Sequence, residues 1–396
     1  MSGNAALSAS TIARGLGGEQ AIQWPLQRAD RLFSLKYGKA LVEPSRRPGA
    51  VPVYGTNGQA GWHDTPLFEG PGVIIGRKGM GHLGVELADR NFWVIDTAYA
   101  LEPLCDIDLR FAYYLIRYVG LDHLKHGTSN PSLTREAFGT QYFPVPPLPH
   151  QRGIAAALGA LDHKIESNLH AVDLIQSLSR SNYVAWRAGH PDTHKTTFGE
   201  FADVFGGATP KTTEPGFWDG DIVWATPTDI TALTTPYLFK TGRMITEAGL
   251  ASTSATLHPE GTILMTSRAT IGSFAVTHVP AATNQGFIVI RPHKPEHRWF
   301  LFEEMRARVP EMLDRANGST FMELSRGNFK LMPLRVPSET AIAELDTTLA
   351  PLHAKAAQLD RESSGLARLR ETLLPELLSG RIRVPEAREF AEVVVG

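Results

Sequence analysis

The sequence predicts an α+β chain built twice over: two similar globular domains, each running into a long helix, with the two helices pairing antiparallel about an internal pseudo-twofold. Three observations predict it. A motif recurs half a chain apart, a heptad helix follows each copy, and the strand and turn patterns before each copy also correspond.

The motif is "HGTSNPSLTREAFGTQYFPVP", ending at Pro146, against "NGSTFMELSRGNFKLMPLRVP", ending at Pro337. At one common offset Gly127 meets Gly318, Leu133 meets Leu324, Arg135 meets Arg326, Phe138 meets Phe329, Val145 meets Val336 and Pro146 meets Pro337. Thr and Ser exchange at three further positions, well beyond what composition alone would match.

The same offset carries Ile154, Leu158 and Leu161 onto Leu345, Leu349 and Leu352. Spacings of three, four and seven mark amphipathic helices with a narrow apolar stripe. In the second helix Leu345, Leu352, Leu359, Leu366 and Leu373 recur every seven residues; in the first, Ile154, Leu161 and Ile175 hold that register and Asn168 breaks it. Such a seam asks for a partner helix packed knobs into holes. Two surface helices on separate domains would give a similar pattern, but a shared register at a shared offset favours pairing with each other. Leu158, Leu161 and Ile165 are expected to face Leu352, Leu359 and Leu366. About 35 residues of helix spans about 50 Å, more than one duplex turn (~34 Å). Pro351 predicts a kink or a helix start.

Upstream, "PGVIIGRKGMGHLG" and "EGTILMTSRATIGSF" both read as a β run ending in a basic turn, with Arg77 over Arg268 and Gly81 over Gly272. "FWVIDTAYALEP" and "AATNQGFIVIRP" both read as strands, rich in β-branched and aromatic residues before a proline. The resulting order is a first domain over residues 1–148, a first long helix over 149–188, a second domain over 189–337, a second long helix over 338–380 and a tail over 381–396. "WRAGHPDTHKTTFG" is the expected joint after the first helix.

Composition excludes several function classes. Hydrophobic residues at 42% and charged ones at 20% are those of an ordinary globular protein. No apolar run approaches the ~20 residues of a membrane span, and the first residues lack a signal-peptide pattern. A single cysteine, Cys105, rules out an intrachain disulfide and a Cys-based zinc site, so a cytoplasmic setting is expected. Cys105 itself reads as a packed small hydrophobe. A net charge of −2 gives no global sign of nucleic-acid binding; such contact must come from local patches or be shared with a partner.

Catalytic motifs are missing. The chain has no Glu-x-Lys, no Asn/Asp-Pro-Pro-aromatic loop, no Walker loop and no dinucleotide glycine fingerprint. His123 and His126 in "HLKH" lack a third ligand, so no metal and no cofactor is expected. What remains are recognition loops: "YGTNGQAGWHD" and "GRKGMGH" carry Tyr54, Asn57, Gln59, Arg77, Lys78 and His82. Asn and Gln pair with adenine edges, Arg or Lys with guanine. Thr128 and Ser129 in "GTSNPS", and Ser319 and Thr320 in "GSTFMELS", supply small hydroxyls that suit phosphate. Arg268, Thr270 and Asn284 are the second domain's candidates.

These residues resemble the specificity subunit of a type I restriction–modification system. "LKYGKAL", "VPVYGTNGQAGWHD", "GVIIGRKGMG" and "FWVIDTAYALEP" resemble a first target-recognition domain, and "FGEFADVFGGATPKTTEPGFWDGDIVWATPTDI" the opening of a second. "PLPHQRGIAAALGALDHKIESN" resembles the family's first long helix and "LRETLLPELLSGRIRV" the close of the other. The resemblance spans roughly residues 24–385. It implies a non-catalytic subunit whose two domains each read one half of a bipartite site in double-stranded DNA. It also implies two modification subunits, binding S-adenosylmethionine and methylating adenine, docked along the helices, and restriction motor–nuclease subunits completing the assembly. The family's base-reading residues vary by design, so few carry over; Asn168 and Asn182 interrupt the apolar seam. The rival readings are a duplicated DNA-binding regulator or orphan methylase adaptor, an enzyme acting alone, and a coiled-coil scaffold without a DNA role.

Overall fold

A computed structural model of the chain describes residues 22–268, 270–316 and 322–385. The chain divides into two compact units, Met1–Ile165 with Ser364–Gly396, and Glu166–Ser363. Each unit therefore owns a portion of both long helices.

In the first unit the all-apolar strand Gly72–Gly76 lies between Ala98–Pro103 and Val85–Ala88, with Phe33–Tyr37 completing an antiparallel four-stranded sheet. Side chains alternate across a strand, so Val73 and Ile75 enter one core and Ile74 another. The helix Leu109–Val119 covers the first face: Asp108 caps it by accepting from the Phe111 amide at 2.9 Å, and Phe111, Ala112, Leu115 and Ile116 form its buried stripe. The other core, with Phe92 and Val94, lies under a three-stranded sheet of Val51–Gly55, Gly58–His63 and Trp93–Val94.

The second unit repeats this plan. Ile263–Thr266 is central in a five-stranded sheet with Phe287–Pro292, Ala202–Phe205, Phe274–Thr277 and Tyr237–Leu238. Ile263 and Met265 point into one core and Leu264 into another. A three-stranded sheet of Trp218–Ala225, Met244–Ile245 and Ala281–Thr283 again contains one parallel pair, as its counterpart does. The repeated motif folds the same way in both copies. Leu133 and Leu324 are each buried, Thr134 and Ser325 each cap the short helix that follows, and Phe138 and Phe329 each sit in the core. The antiparallel pairs Leu26–Arg28 with Tyr142–Pro144, and His194–Thr197 with Pro333–Val336, then lead into the long helices.

One correspondence shifts by a residue. The Leu133 amide donates to the Arg77 carbonyl at 2.8 Å, and the Leu324 amide donates to the Ser267 carbonyl at 3.0 Å. Lys78 bridges Ser132 where Arg268 bridges Glu323. Arg268 is thus the counterpart of Lys78 rather than of Arg77, because the segments between the matched strands differ in length by a residue.

The helices run Leu148–Gly189 and Glu339–Ser379, each roughly 60 Å long at ~1.5 Å per residue. The first extends through "WRAG", so the joint is shorter than the composition suggests. The second runs unbroken through Pro351, which is exposed; the helix begins twelve residues earlier, after Ser338, whose hydroxyl accepts from the Ala341 amide at 3.2 Å. Gly380 ends it at φ +82°, a conformation that favours glycine, with its amide donating to the Glu376 carbonyl at 3.1 Å. The Gln23 amide reaches the Ser379 carbonyl at 2.8 Å, tying the start of the described chain to that helix end.

Within the first unit the start of one helix packs with the end of the other, which makes the pair antiparallel. The facing residues differ from expectation. Leu158 and Leu161 share their core with Leu369, Leu373, Leu374, Leu377 and Leu378. Leu352 and Leu359 belong to the second unit's core with Val172 and Ile175. The Asp162–Arg370 ion pair sets this register; moving from Asp162 back to Leu158 advances the partner helix toward its C-terminal end. The stripes therefore do more than pair. Burying each leucine contributes roughly 1.5–3 kcal/mol, and in both units they complete a domain core.

Candidate nucleic-acid interface

In the first unit four loops converge beside the central sheet. The Thr56 hydroxyl, at the tip of the hairpin between Val51–Gly55 and Gly58–His63, donates to the Lys78 carbonyl at 2.8 Å and the Thr97 carbonyl at 2.9 Å. The Gly84 amide donates to the Thr56 carbonyl at 2.8 Å, and the Gly79 amide to the Pro131 carbonyl at 3.0 Å. The approach is close enough to require glycine at Gly76, where a Cβ would lie 2.4 Å from the Thr56 carbonyl oxygen. The Thr56 hydroxyl and these backbone bonds together fix the loops against one another.

Several expected residues sit on this platform. Asn57 and Gln59 are exposed on the hairpin, Thr128 and Ser129 on the loop that leads to Pro131, and Lys78 is half-buried beside Ser132. Asn57 and His82 line a cleft of about 430 Å³ with Glu86 and Arg117. Burial raises the Glu86 carboxyl above its ordinary range, against the opposing pull of Arg117. His82 is engaged by Asp122, which also takes Lys125 at 2.8 Å and the Leu83 amide at 3.0 Å. Burial opposes ionisation of Asp122, yet these donors hold its carboxyl below the usual value.

Arg77 lies over the Tyr37 ring at 4.7 Å and the Tyr99 ring at 5.5 Å, and donates to the Asp96 carbonyl at 3.1 Å. Arg135, from the repeated motif, lies over the same Tyr37 ring, also 4.7 Å from its centroid. Tyr99 is buried, donates to the Leu133 carbonyl at 3.1 Å, and has its phenol pushed up to about 12 by burial and by Tyr37. Tyr37, Arg135 and their stacking were outside the expected set. The recurrence of Arg135 as Arg326 was the available signal.

Two expected residues take other roles. Tyr54 is interior, edge-on to Phe92 at 6.2 Å, because its strand position points into the core beneath the three-stranded sheet. Asn284 uses its side-chain oxygen to accept from the Gly286 amide at 2.8 Å, so it shapes a turn. In the second unit Arg268 is exposed and pairs with Glu323 at 2.9 Å, and Thr270 is exposed two residues on. Ser319 and Thr320, like Gly318, lie outside the described residues. An unexpected feature there is Arg243 stacked 3.6 Å over Trp218.

Among the described residues no group of three or more His, Cys, Asp or Glu side chains could hold a metal ion, and His123 and His126 fall on a short 3-10 turn and a strand. Cys105 is exposed in a turn rather than packed; partial burial of its sulfur and the neighbouring Asp106 both raise the thiol above its ordinary value, which disfavours the thiolate. Among the described residues no helix is long and apolar enough to cross a membrane.

The chain matches the family described as the type I restriction modification DNA specificity domain twice, over residues 26–173 and 192–345. It is 36% identical over 154 residues to the type I restriction enzyme MjaIX specificity subunit of Methanocaldococcus jannaschii, covering 38% of this chain and 35% of that protein. It is 23% identical over 265 residues to the EcoR124I/EcoR124II specificity subunit of Escherichia coli, covering 63% of this chain and 64% of that protein. The matched stretches thus span less than two thirds of either relative. The fold is similar to the crystal structure of a type I restriction-modification S subunit from M. genitalium, with a TM-score of 0.65 and 20% identity over 90% of this chain and 96% of that one.

Proposed function

Because this chain belongs to the type I restriction modification DNA specificity family, we propose that it is the non-catalytic subunit that gives a restriction–modification complex its DNA sequence specificity. Each unit reads one half of a bipartite site in double-stranded DNA, and the two helices set the spacing between halves. The observation that carries this reading is the repetition itself. The two domains share a strand order, the second with one strand added, and each is continuous with a helix of about the same length. One module per half-site is what a bipartite target requires.

On this reading the methyl donor S-adenosylmethionine belongs to two methyltransferase subunits that dock along the helices, and a motor–nuclease subunit supplies cleavage. Sharing the DNA clamp with those partners accounts for a chain whose net charge is only −2.

Methylome sequencing of a host expressing this chain with its neighbouring methyltransferase tests the proposal. A bipartite methylated motif is the expected result. Replacing residues 24–145 by those of a relative should then change one half of the motif. Methylation at a continuous motif, or a swap that changes both halves, would overturn it.

A further inference from the structure

The two repeats place equivalent residues at the same point of the fold, and they differ in charge. In the first unit Tyr37 pairs across the sheet with Tyr99, the fourth residue on from the Phe33–Pro103 pair. In the second, Gly206 lies four residues on from Ala202, which pairs with Pro292. Tyr37 therefore corresponds to Gly206. Arg135 corresponds to Arg326 by the repeated motif, and the Arg326 Nη1 lies 3.5 Å from where a Cβ on Gly206 would stand. Lys78 and Ser132 correspond to Arg268 and Glu323 by their bridges, and Arg77 to Ser267 by the carbonyl each gives to the motif.

Thus the first site places Arg77 and Arg135 about one aromatic ring, with Lys78 next along the chain, and no carboxylate is paired to any of the three among the described residues. The second has Arg268 and Arg326, and Glu323 neutralises Arg268 at 2.9 Å. Placing two guanidiniums about one ring, each 4.7 Å from its centroid, concentrates like charge that the protein itself leaves uncompensated. The electron-rich ring attracts both groups, while Tyr37 remains 46% exposed and Arg135 is exposed. Guanidinium forks presented in this way match phosphate oxygens in geometry and charge.

We infer that Arg77 and Arg135, oriented by Tyr37, form a phosphodiester clamp in the first domain only: in the second, Ser267 and Gly206 stand in place of Arg77 and Tyr37, and Glu323 neutralises Arg268, the counterpart of Lys78. The inference rests on the DNA-binding reading above. The first domain then anchors the duplex backbone with little regard to sequence, and the second depends more heavily on base contacts.

The test is the salt dependence of duplex binding by the full chain, measured on DNA with and without the recognised motif. Each phosphate contact contributes about 0.9 to the slope of log affinity against log salt. Arg135→Gln and Arg77→Gln should each reduce the slope by about 0.9 and weaken both duplexes in the same proportion. Arg268→Gln should leave the slope nearly unchanged, and Glu323→Ser should raise it by up to about 0.9 by freeing Arg268. Since Arg135 is exposed, its variant decides the matter if Arg77→Gln fails to fold. An unchanged slope in Arg135→Gln, or a loss confined to the duplex carrying the motif, would overturn the clamp while leaving the DNA-binding reading intact. A wild-type chain that binds neither duplex at low salt would overturn both.

Discussion

Arg370 donates to the Asp162 carboxylate at 2.5 Å, and the Tyr114 hydroxyl reaches the other oxygen of the same carboxylate at 2.5 Å. Asp162 thus joins three pieces of one unit: the first long helix, the second long helix and the helix of the domain. The contact is largely sheltered, with side-chain exposures of 26% for Asp162 and 18% for Arg370. Burial, then Asp162, pushes the Tyr114 phenol well above its ordinary value, so it donates at any physiological pH.

Asp162→Ala should destabilise the first unit by about 1.5–3 kcal/mol, the usual range for hydrogen bonds to a charged group. Urea unfolding should show it. The double variant Asp162→Ala with Arg370→Ala should lose less than the sum of the two single losses, because the second change removes the charge stranded by the first. Additive losses would mean that the pair does not set the register.

Leucines of the second helix should fail in different units according to position. Leu373→Ala removes part of the first unit's core and Leu359→Ala part of the second's, each at a cost of ~2–5 kcal/mol. Hydrogen exchange resolved by residue is the measurement. Protection should fall in Leu109–Val119 for Leu373→Ala and in Arg298–Ala307 for Leu359→Ala. Both variants loosening the same unit would contradict the observed register.

Stability should decline on mild acidification. His353 is fully buried, stacked on Trp299 at 3.6 Å and bonded to the Tyr237 hydroxyl at 2.9 Å; burial, then Arg306, lowers its pKa to about 3. His258 is likewise lowered by burial to about 4. With an unfolded value near ~6.5, the unfolded chain binds more protons than the folded one below that pH. The contribution is therefore complete above about pH 6.5 and is lost as pH falls toward 4 and then 3. Between pH 6.5 and 5 the urea midpoint of the second unit should drop, offset only in part by Asp346 and Asp360, whose carboxyls burial raises above the ordinary value so that the folded unit takes up their protons first. His353→Phe should flatten this part of the profile. A midpoint constant from pH 7 to 5 would show that neither histidine resists protonation.

Gly380→Ala should shorten or fray the second helix. An added Cβ would meet the Trp24 indole at 2.7 Å, and φ +82° disfavours any L side chain. A loss of about 1 kcal/mol or more is expected, together with a red-shifted, more quenched Trp24 emission as the contact opens. Unaltered melting would mean that the helix end is held elsewhere.

Duplication made much of the fold legible in the sequence, because each ambiguous pattern could be checked against its copy. The motif around Leu133 and Leu324, the strands Gly72–Gly76 and Ile263–Thr266, and both long helices follow from apolar spacing that recurs. Residues whose role depends on three-dimensional neighbours were less legible. Whether Tyr54 faced solvent depended on a second sheet covering its strand, and whether Asn284 faced a ligand depended on a turn two residues long. The Arg77–Tyr37–Arg135 cluster joins three segments far apart in sequence, so no local window contains it. The helix register likewise depended on one ion pair whose partners read as ordinary surface charges.

The second unit, Glu166–Ser363, is one uninterrupted stretch of chain, whereas the first needs residues from both sides of it. This imposes an order on biosynthesis. A ribosome that has released the first domain and half of the first helix has not yet made Leu369, Leu373, Leu374, Leu377 and Leu378, which close that domain's core. The stretch encoding the second unit can complete its own contacts first, and the earlier-made portion must wait with apolar surface unsatisfied. Closing so long an excursion is entropically slow. The N-terminal portion is thus the part of the nascent chain with the greatest need of chaperone protection, and the part that matures last.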